Sequence, residues 1–176
     1  MIRILDFLFS FFGLILLSPI LILIFVIGLF ENGSPLFIQK RVGCNLRSFS
    51  LIKFRTMPKD VRSAGTHLIK DIQLSSYGYF LRRTKIDEIP QLLNVLLGDM
   101  SLVGPRPCLI NQSKLISERK KRGVFKVRPG ITGLAPINGI DMKTPTLVAK
   151  TDQKMIKNMS LYNYFYYIFK TIFKII

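Results

Sequence analysis

The 176-residue sequence has no tryptophan, one histidine and two cysteines. With His67 as the only imidazole, a histidine-based metal site or a Ser-His-Asp triad lacks the partners it needs, and we expect a solvent-facing or loop histidine. Cys44 and Cys108 show no paired framework, so we expect two ordinary small hydrophobic side chains in a reducing, cytoplasmic environment. Histidine chemistry and a disulfide scaffold are thus without support.

Carboxylates are also scarce: 10 Asp and Glu against 26 Lys and Arg give a net charge of +16, although 49% of the residues are hydrophobic. Residues 1–30 hold one basic and one acidic side chain, Arg3 and Asp6, so the rest of the chain carries the excess positive charge. A neutral apolar segment joined to a basic body indicates a membrane protein whose body faces anionic lipid. Because no zinc-finger spacing, RNA-recognition signature or basic heptad array accompanies the charge, we predict no nucleic-acid partner.

The apolar segment covers residues 4–30 almost without interruption. As a straight helix it would be about 40 Å long at ~1.5 Å per residue, which is enough to cross a hydrocarbon core of about 30 Å. It is a poor signal peptide, since a single arginine precedes a long apolar run and no small-residue cleavage site follows. A single transmembrane anchor is therefore one interpretation.

A second interpretation depends on Ser18-Pro19 in the middle of this segment. Pro19 cannot donate to the carbonyl of Ile15, so we expect a kink, and the Ser18 hydroxyl can bond back to a carbonyl one turn earlier. Each half is too short to span a bilayer alone, and a bent helix could enter and leave on one face. In either case the nearby basic residues predict a cytoplasmic body; they are Lys40, Arg41 and Arg47.

The body begins with an alternating apolar and polar pattern over residues 36–57, around Gly43-Cys44-Asn45. This pattern predicts a short hairpin packed on one face, through Phe37, Phe49, Leu51 and Phe54. Residues 58–76 are predicted to form a loop with at most a short helix.

Helical patterns follow. Residues 89–97 predict a helix that Gly98 ends, with a buried stripe of Leu92, Leu93, Leu96 and Leu97. Residues 109–122 predict a helix that closes in a basic run at 119–122, which we interpret as a solvated face able to touch anionic headgroups. Residues 160–176 contain seven aromatics and two lysines. That tail fits an amphipathic interfacial helix or a helix packed on the body.

The most informative segment covers residues 82–107, where Asp87 and Glu88 stand between a polar turn and an apolar helix. An acidic pair among arginines suits a divalent cation held together with a phosphorylated substrate. Two plainer interpretations exist, because Asp87 could be a helix N-cap or could close a capping box with Thr84. Local chemistry leaves capping and catalysis open.

The string KIDEIPQLLNVLLGDMSLVGPRP, residues 85–107, resembles the signature of the bacterial sugar transferases. These are monotopic phosphoglycosyl transferases that start glycan assembly on polyprenyl phosphate, and the likeness is greatest to the small, catalytic-module-only members. Three further blocks occur in the family's order: the Ser-Pro break at 18–19, KFRTM at 53–57 and RPGITGL at 128–134. After Gly139 the family commonly has Arg-Asn and soon a tryptophan, whereas this chain has Ile140-Asp141, so the family's contacts from that region, which we associate with the sugar, are not carried over.

The resemblance implies transfer of a sugar-1-phosphate from a UDP-sugar to undecaprenyl (polyprenyl) phosphate, with release of UMP. It implies that Asp87 is the nucleophile that forms an aspartyl-phosphosugar and that Glu88 serves Mg²⁺. Basic side chains are expected to contact the substrate; these are Lys53, Arg55, Arg82, Arg106 and Arg128. From the residues alone, a polar strand face for Lys53 and Arg55 and a solvated surface turn for Arg106 remain open.

We therefore predict an α+β, mainly helical fold in which an N-terminal re-entrant membrane helix is broken at Ser18-Pro19. The expected organisation is a membrane-embedded segment at 1–32, a cytoplasmic catalytic domain with a short β-hairpin at 33–159, and an interfacial helix at 160–176. The resemblance places the protein at the cytoplasmic face of the bacterial inner membrane. The alternatives are a catalytically inactive family member and a membrane-anchored basic binding protein.

Overall fold

The computed structural model describes residues 1–58 and 74–175. Its helices are α1 (Ile2–Asn32), α2 (Ser76–Arg83), α3 (Gln91–Leu97), α4 (Ser113–Lys121), α5 (Leu134–Ile137), α6 (Pro145–Lys157) and α7 (Leu161–Ile175). Its strands are β1 (Leu36–Val42), β2 (Ser48–Phe54), β3 (Ser101–Val103), β4 (Cys108–Leu109) and β5 (Gly130–Thr132). The α+β, mainly helical class is confirmed, while His67 and most of the loop predicted over residues 58–76 lie outside the described residues.

The strands form two small sheets. In the first, β1 pairs antiparallel with β2 on one side and with β4 on the other, and in the second β3 pairs parallel with β5. The predicted hairpin is confirmed, and its turn contains Asn45 and Leu46 at φ 52° and 61°. Phe54 does not share a face with Phe49 and Leu51, because it lies an odd number of residues away on β2. It packs instead with residues of α1 and α2, Ile24 and Leu81.

The β3–β5 pair contacts α3 and α7, and α3 also contacts β2 of the first sheet. Gly104 follows β3 and Gly130 begins β5, and a Cβ added to Gly130 would lie 2.0 Å from the Gly104 nitrogen. The glycines at 104 and 130 therefore admit another segment of the same chain, since the two backbones approach too closely for a side chain.

Helix α1 continues through Pro19, and the Ser18 hydroxyl donates to the Ile15 carbonyl at 2.8 Å. That carbonyl is the one that Pro19 leaves without its i+4 donor, so the predicted back-bond is confirmed. The predicted break therefore does not divide α1 into two separate helices. Within the described residues α1 is the one helix long and apolar enough to cross a membrane, and 11% of its most apolar window is buried.

The N-terminal end of α1 is tied to the body by its two charged side chains. Arg3 donates to the carbonyls of Val95 at 2.5 Å and Leu96 at 2.9 Å, in the last turn of α3. Asp6, which is 2% exposed, accepts from the Ser101 hydroxyl at 3.0 Å and from the backbone N–H of Leu102 at 3.0 Å. It also accepts from the hydroxyl of Tyr164 in α7 at 2.8 Å, so three elements meet at one carboxylate.

The C-terminal half of α1 contacts the same body. The Tyr77 hydroxyl, in α2, donates to the Ile24 carbonyl at 2.8 Å. One turn further, a Cβ added to Gly28 would lie 3.0 Å from both the Tyr77 hydroxyl and the Pro35 side chain. Arg3 and Gly28 are separated by about 25 residues, or roughly 37 Å of helix, and both ends of this stretch contact the body.

The apolar stripe predicted for α3 is wrong. Leu93 and Leu97 are 43% and 75% exposed, whereas Asn94 and Val95 are buried. The Asn94 amide explains this orientation, because it accepts from the Ile52 N–H at 3.0 Å and donates to the Ser50 carbonyl at 2.8 Å, which continues the hydrogen bonding of β2.

Helix α7 confirms the interpretation of the tail as a helix packed on the body. Tyr164 and Tyr167 are buried against β3, α5 and α6. Tyr162, Phe169 and Phe173 on the other face are 77%, 56% and 72% exposed. The helix is therefore packed on the body through one aromatic face and presents a second aromatic face outward.

Candidate active site

Asp87 lies in a short 3-10 turn, Ile86–Glu88, between α2 and α3. Neither capping interpretation holds: no side chain caps this turn or α3, and the Thr84 hydroxyl donates backward to the Phe80 carbonyl at 2.8 Å. Asp87 is 5% exposed, and its Oδ1 has no hydrogen-bond partner among the residues that the structure describes. A buried carboxylate oxygen without a partner is costly, which favours a chemical role over a structural one.

The surroundings of Asp87 raise its pKa to about 6, mainly through burial and secondly through the negative charge of Glu88. The positive charges of Lys53, Lys85 and Arg82 act in the opposite direction and keep the shift from being larger. The carboxylate is thus ionised at neutral pH yet more basic than an ordinary aspartate, which suits an attacking group.

Glu88 has the opposite environment. Arg106 donates to its two carboxylate oxygens at 2.5 and 3.4 Å, and the Arg106 side chain is 45% exposed. Burial acts to raise the pKa of Glu88, but the charge and hydrogen bonds of Arg106 hold that pKa below its usual value. Two adjacent carboxyl groups whose pKa values move in opposite directions are suited to two different roles.

Two of the predicted basic residues face Asp87. Lys53 projects from β2, and burial lowers the pKa of its ammonium group. Arg82 at the end of α2 donates its Nε–H to the Thr56 hydroxyl at 2.8 Å, and its buried Nη2 has no hydrogen-bond partner within the described part of the chain. The structure adds Lys85, which holds the left-handed conformation at φ 59° just before the 3-10 turn. Sequence reasoning missed this lysine, although it opens the motif.

A buried ion pair holds the backbone of the turn that carries Arg106. Arg119 donates through Nε to Asp152 at 2.9 Å and through Nη1 to the backbone carbonyl of Arg106 at 2.8 Å. Arg119 is 2% exposed, so its prediction as part of a solvated basic face is wrong. Its spacing in the sequence could have indicated this burial, because Arg119 lies four residues after Leu115 and therefore on the same face of α4.

Arg41 is a second residue that sequence reasoning did not assign to the site. It lies on β1 and donates to the Pro107 carbonyl at 3.2 Å, beside the pair formed by Glu88 and Arg106. Burial first, and the positive charge of Arg106 second, lower the pKa of Arg41 to about 10. The Gly104-Pro105-Arg106-Pro107 turn is therefore held by two arginines through its backbone.

The structure places the other two predicted basic residues elsewhere. Arg55 donates to the carbonyls of Ser34 and Leu36 at 3.1 and 3.4 Å, and its guanidinium lies over the Phe37 ring. Arg128 donates to the Gly98 carbonyl at 2.7 Å, beyond the C-terminus of α3. Both therefore support backbone in the described structure, and neither is brought into contact with Asp87 or Glu88.

Two cavities flank the β3–β5 pair. The first has a volume of about 620 Å³ and is rich in charged side chains, including Arg3, Asp6, Arg47, Asp99 and Arg128. The second has a volume of about 420 Å³ and reaches the ion pair of Glu88 with Arg106. Of the predicted site residues, Glu88 and Arg106 line the second cavity and Arg128 lines the first.

Glu88 fits a magnesium ion only in a site with few protein ligands. Among residues 1–58 and 74–175, no group of three or more His, Cys, Asp or Glu side chains is arranged to hold a metal. Each oxygen of Glu88 accepts one hydrogen bond from Arg106, which leaves a second lone pair on each oxygen for a metal. Magnesium commonly takes one or two carboxylates and fills its remaining positions with phosphate oxygens and water, so this donor set is compatible with it.

Comparison with known proteins gives one consistent result. The profile of the bacterial sugar transferase family matches residues 1–176. An uncharacterized sugar transferase, EpsL, of Bacillus subtilis is 43% identical over 138 residues, which are 78% of this chain and 68% of that protein. The exopolysaccharide production protein ExoY of Rhizobium meliloti is 35% identical over 181 residues, covering 91% of this chain and 78% of the relative.

A third relative carries a more specific name. The UDP-glucose:undecaprenyl-phosphate glucose-1-phosphate transferase of Klebsiella pneumoniae is 38% identical over 186 residues, covering 98% of this chain. The match spans 39% of the length of the Klebsiella protein. The match to an uncharacterized sugar transferase of Haemophilus influenzae also spans 39% of that relative.

Proposed function

The chain belongs to the bacterial sugar transferase family, and on that basis we propose that it is a phosphoglycosyl transferase. The proposed reaction transfers a sugar-1-phosphate from a UDP-sugar to undecaprenyl or another polyprenyl phosphate and releases UMP. The names of relatives that act on UDP-sugars and undecaprenyl phosphate support these substrates. The product would begin the membrane stage of a bacterial polysaccharide.

The observation that carries the proposal is Asp87, a buried carboxylate with an unpartnered oxygen and a pKa raised to about 6. Among residues 1–58 and 74–175, this carboxylate caps no helix and forms no ion pair, so the fold does not account for it. It stands among Lys53, Arg82 and Lys85, which provide the positive charge that a diphosphate substrate requires.

In the proposed mechanism, Oδ1 of Asp87 attacks the phosphorus that bears the sugar. The new P–O bond forms as the bond to the UMP oxygen breaks, and UMP leaves with that electron pair. A phosphate oxygen of the lipid then attacks the same phosphorus, and Asp87 departs as a carboxylate. Two displacements replace one difficult reaction between two anions.

The other residues have supporting roles in this scheme. Lys53, Arg82 and Lys85 stabilise charge on the phosphoryl group during both displacements. Glu88 would hold Mg²⁺, which when bound would neutralise phosphate charge. Arg119 with Asp152, together with Arg41, fixes the backbone that presents Arg106.

Membrane association by a re-entrant helix is part of the proposal. The contacts of Arg3, Asp6, Ile24 and Gly28 support it, because they fasten both ends of α1 to one body. If α1 crossed the bilayer while both of its ends stayed bound to the body, the charged body would have to lie within a hydrocarbon core of about 30 Å. The side chains of α1 that face away from the body are apolar and exposed, for example Phe12 at 62% and Leu16 at 79%.

Topology can be tested by cysteine labelling in intact cells. We expect Ile2→Cys to react with a membrane-impermeant maleimide after permeabilisation only, because both ends of α1 would lie in the cytoplasm. Lys121→Cys, on a side chain 67% exposed on the body, is the matched control and should behave in the same way. If Ile2→Cys were labelled from outside while Lys121→Cys was not, α1 would span the membrane.

The activity itself is tested by UMP release from a panel of UDP-sugars, with purified protein, Mg²⁺ and undecaprenyl phosphate. For the correct donor we expect sustained UMP release with lipid and about one equivalent of UMP per enzyme without it, since the first displacement needs no acceptor. If no donor gave UMP in either condition, the protein would be an inactive member of the family or a binding protein.

A further inference from the structure

The second cavity, about 420 Å³ in volume, lies between α3, β5, α5 and α7, and we refer to it as the α3–α7 groove. Most of its wall is hydrocarbon, with Ile89, Leu92, Ile131, Ile137, Ile168 and Ile172 as principal contributors. At one end stand Glu88 and Arg106, together with Lys85 and Arg83. An apolar channel with a basic end is the form expected of a site for an amphiphilic anion.

Resting on the proposed function, we propose that the α3–α7 groove receives the first isoprene units of the lipid acceptor. The acceptor phosphate then lies at the basic end, beside Arg106 and Lys85. Ile168 and Ile172 of α7 select for the hydrocarbon chain, and the C-terminal helix is therefore a substrate-binding element in addition to an interfacial one.

Charge at the entrance matches a lipid phosphate. Lys85 and Arg83 are exposed and form no ion pair with any carboxylate among residues 1–58 and 74–175. Arg106 keeps a 45% exposed guanidinium although it is paired with Glu88. A phosphate at this end would have charge-assisted donors and would lie next to the 3-10 turn that carries Asp87.

The threonine hydroxyls in the wall of the groove form hydrogen bonds within the protein. Thr132 of β5 and Thr171 of α7 share a short hydrogen bond between their hydroxyls, and Thr171 also donates to the Tyr167 carbonyl at 2.8 Å. These hydroxyls have partners in the protein, so covering them with hydrocarbon costs little.

Continuity with the outward-facing apolar surface favours a membrane lipid over a soluble ligand. Ile172 lines the groove and is still 47% exposed, and Phe173 beside it is 72% exposed. On the α3 side, Leu93 and Leu97 extend the apolar surface next to Leu92. The cavity on the other face of β3 has a more polar wall, since Arg3, Asp6, Arg47 and Asp99 line it beside apolar residues such as Ile2 and Met155.

The test compares Ile172→Trp with Phe173→Trp. The first adds an indole inside the groove, whereas the second changes a neighbouring exposed side chain that does not line it. We expect Ile172→Trp to lower kcat/KM for undecaprenyl phosphate by about tenfold or more, mostly through KM, because one hydrophobic contact is worth roughly 10- to 200-fold. Phe173→Trp should stay within about twofold of the wild type.

The one equivalent of UMP released per enzyme without lipid, which we call the UMP burst, distinguishes failure of the groove assignment from failure of the proposed function. We expect it to be unchanged in Ile172→Trp, which also reports that the variant folds, and Ile168→Ala should raise KM for the lipid without altering the burst. Normal lipid kinetics in both variants, with a normal burst, would overturn the groove assignment while leaving the proposed function in place. A wild-type protein without a burst would overturn the proposed function and this inference with it.

Discussion

Asp87→Asn is expected to abolish turnover, lowering UMP release by at least about 1,000-fold, because an amide cannot attack phosphorus and removal of a nucleophile has effects of this size or larger. With donor radiolabelled in the sugar phosphate, the wild-type protein should carry label after denaturation when lipid is omitted, and Asp87→Asn should carry none. Normal turnover in the amide variant would contradict the mechanism.

The same variant should be at least as stable as the wild type at neutral pH. The pKa of Asp87 is raised to about 6 in the folded protein, mainly by burial, so the folded state binds more protons than the unfolded chain between the ordinary aspartate pKa and about 6. Ionisation of Asp87 therefore costs stability, and the cost is complete above about pH 6. We expect Asp87→Asn to recover about 1–3 kcal/mol at pH 7.5, measured by denaturant unfolding in detergent.

Two controls accompany this prediction. Asp141→Asn changes a carboxylate that is 56% exposed and lies 3.9 Å from the Lys143 ammonium, and it should alter neither UMP release nor unfolding. In the wild type, the rate of the UMP burst should fall as the pH drops through about 6, because the protonated carboxyl group is not a nucleophile. A rate that stayed constant down to pH 4.5 would exclude Asp87 as the group that reacts.

Asp152→Ala should produce the largest loss of stability, about 3–5 kcal/mol, because it leaves the buried guanidinium of Arg119 without a counter-charge. The side chains of this pair are 2% and 1% exposed, and the shortest distance between them is 2.8 Å. Arg119 also fixes the Arg106 carbonyl, so activity should fall even at temperatures where the variant is folded. Thermal unfolding in detergent and UMP release measure the two effects.

A surface pair serves as the matched control. Lys121 lies 3.0 Å from Glu118 but is 67% exposed, so Lys121→Ala should cost less than about 1 kcal/mol. The double change Arg119→Met with Asp152→Leu should restore much of the stability, since it removes both charges, while the Arg106 carbonyl remains without its donor. An unchanged melting temperature in Asp152→Ala would show that the ion pair is not a structural support.

The sequence determined those elements whose signal is local. Gly98 ends α3 in the left-handed conformation at φ 89°, and Ser18 bonds to the carbonyl that Pro19 leaves free. The hairpin around Gly43 and the long apolar helix follow in the same way from turn chemistry and composition. The pair of carboxylates was also found from sequence, because Asp87 and Glu88 are adjacent in a characteristic motif.

Only the tertiary structure decided which side of each element faces inward. The leucine pattern of α3 has the period of a helix, but a period does not say whether the apolar face meets protein or lipid, and Leu93 and Leu97 face outward because Asn94 bonds to β2. Arg119 and Asp152 are 33 residues apart, so no local pattern reveals that their charges cancel within the body. The sequence does not reveal how the pKa values of two adjacent carboxyl groups differ. The pKa of Asp87 is raised and that of Glu88 is lowered because of burial and of charges that the fold brings from β2 and the Arg106 turn.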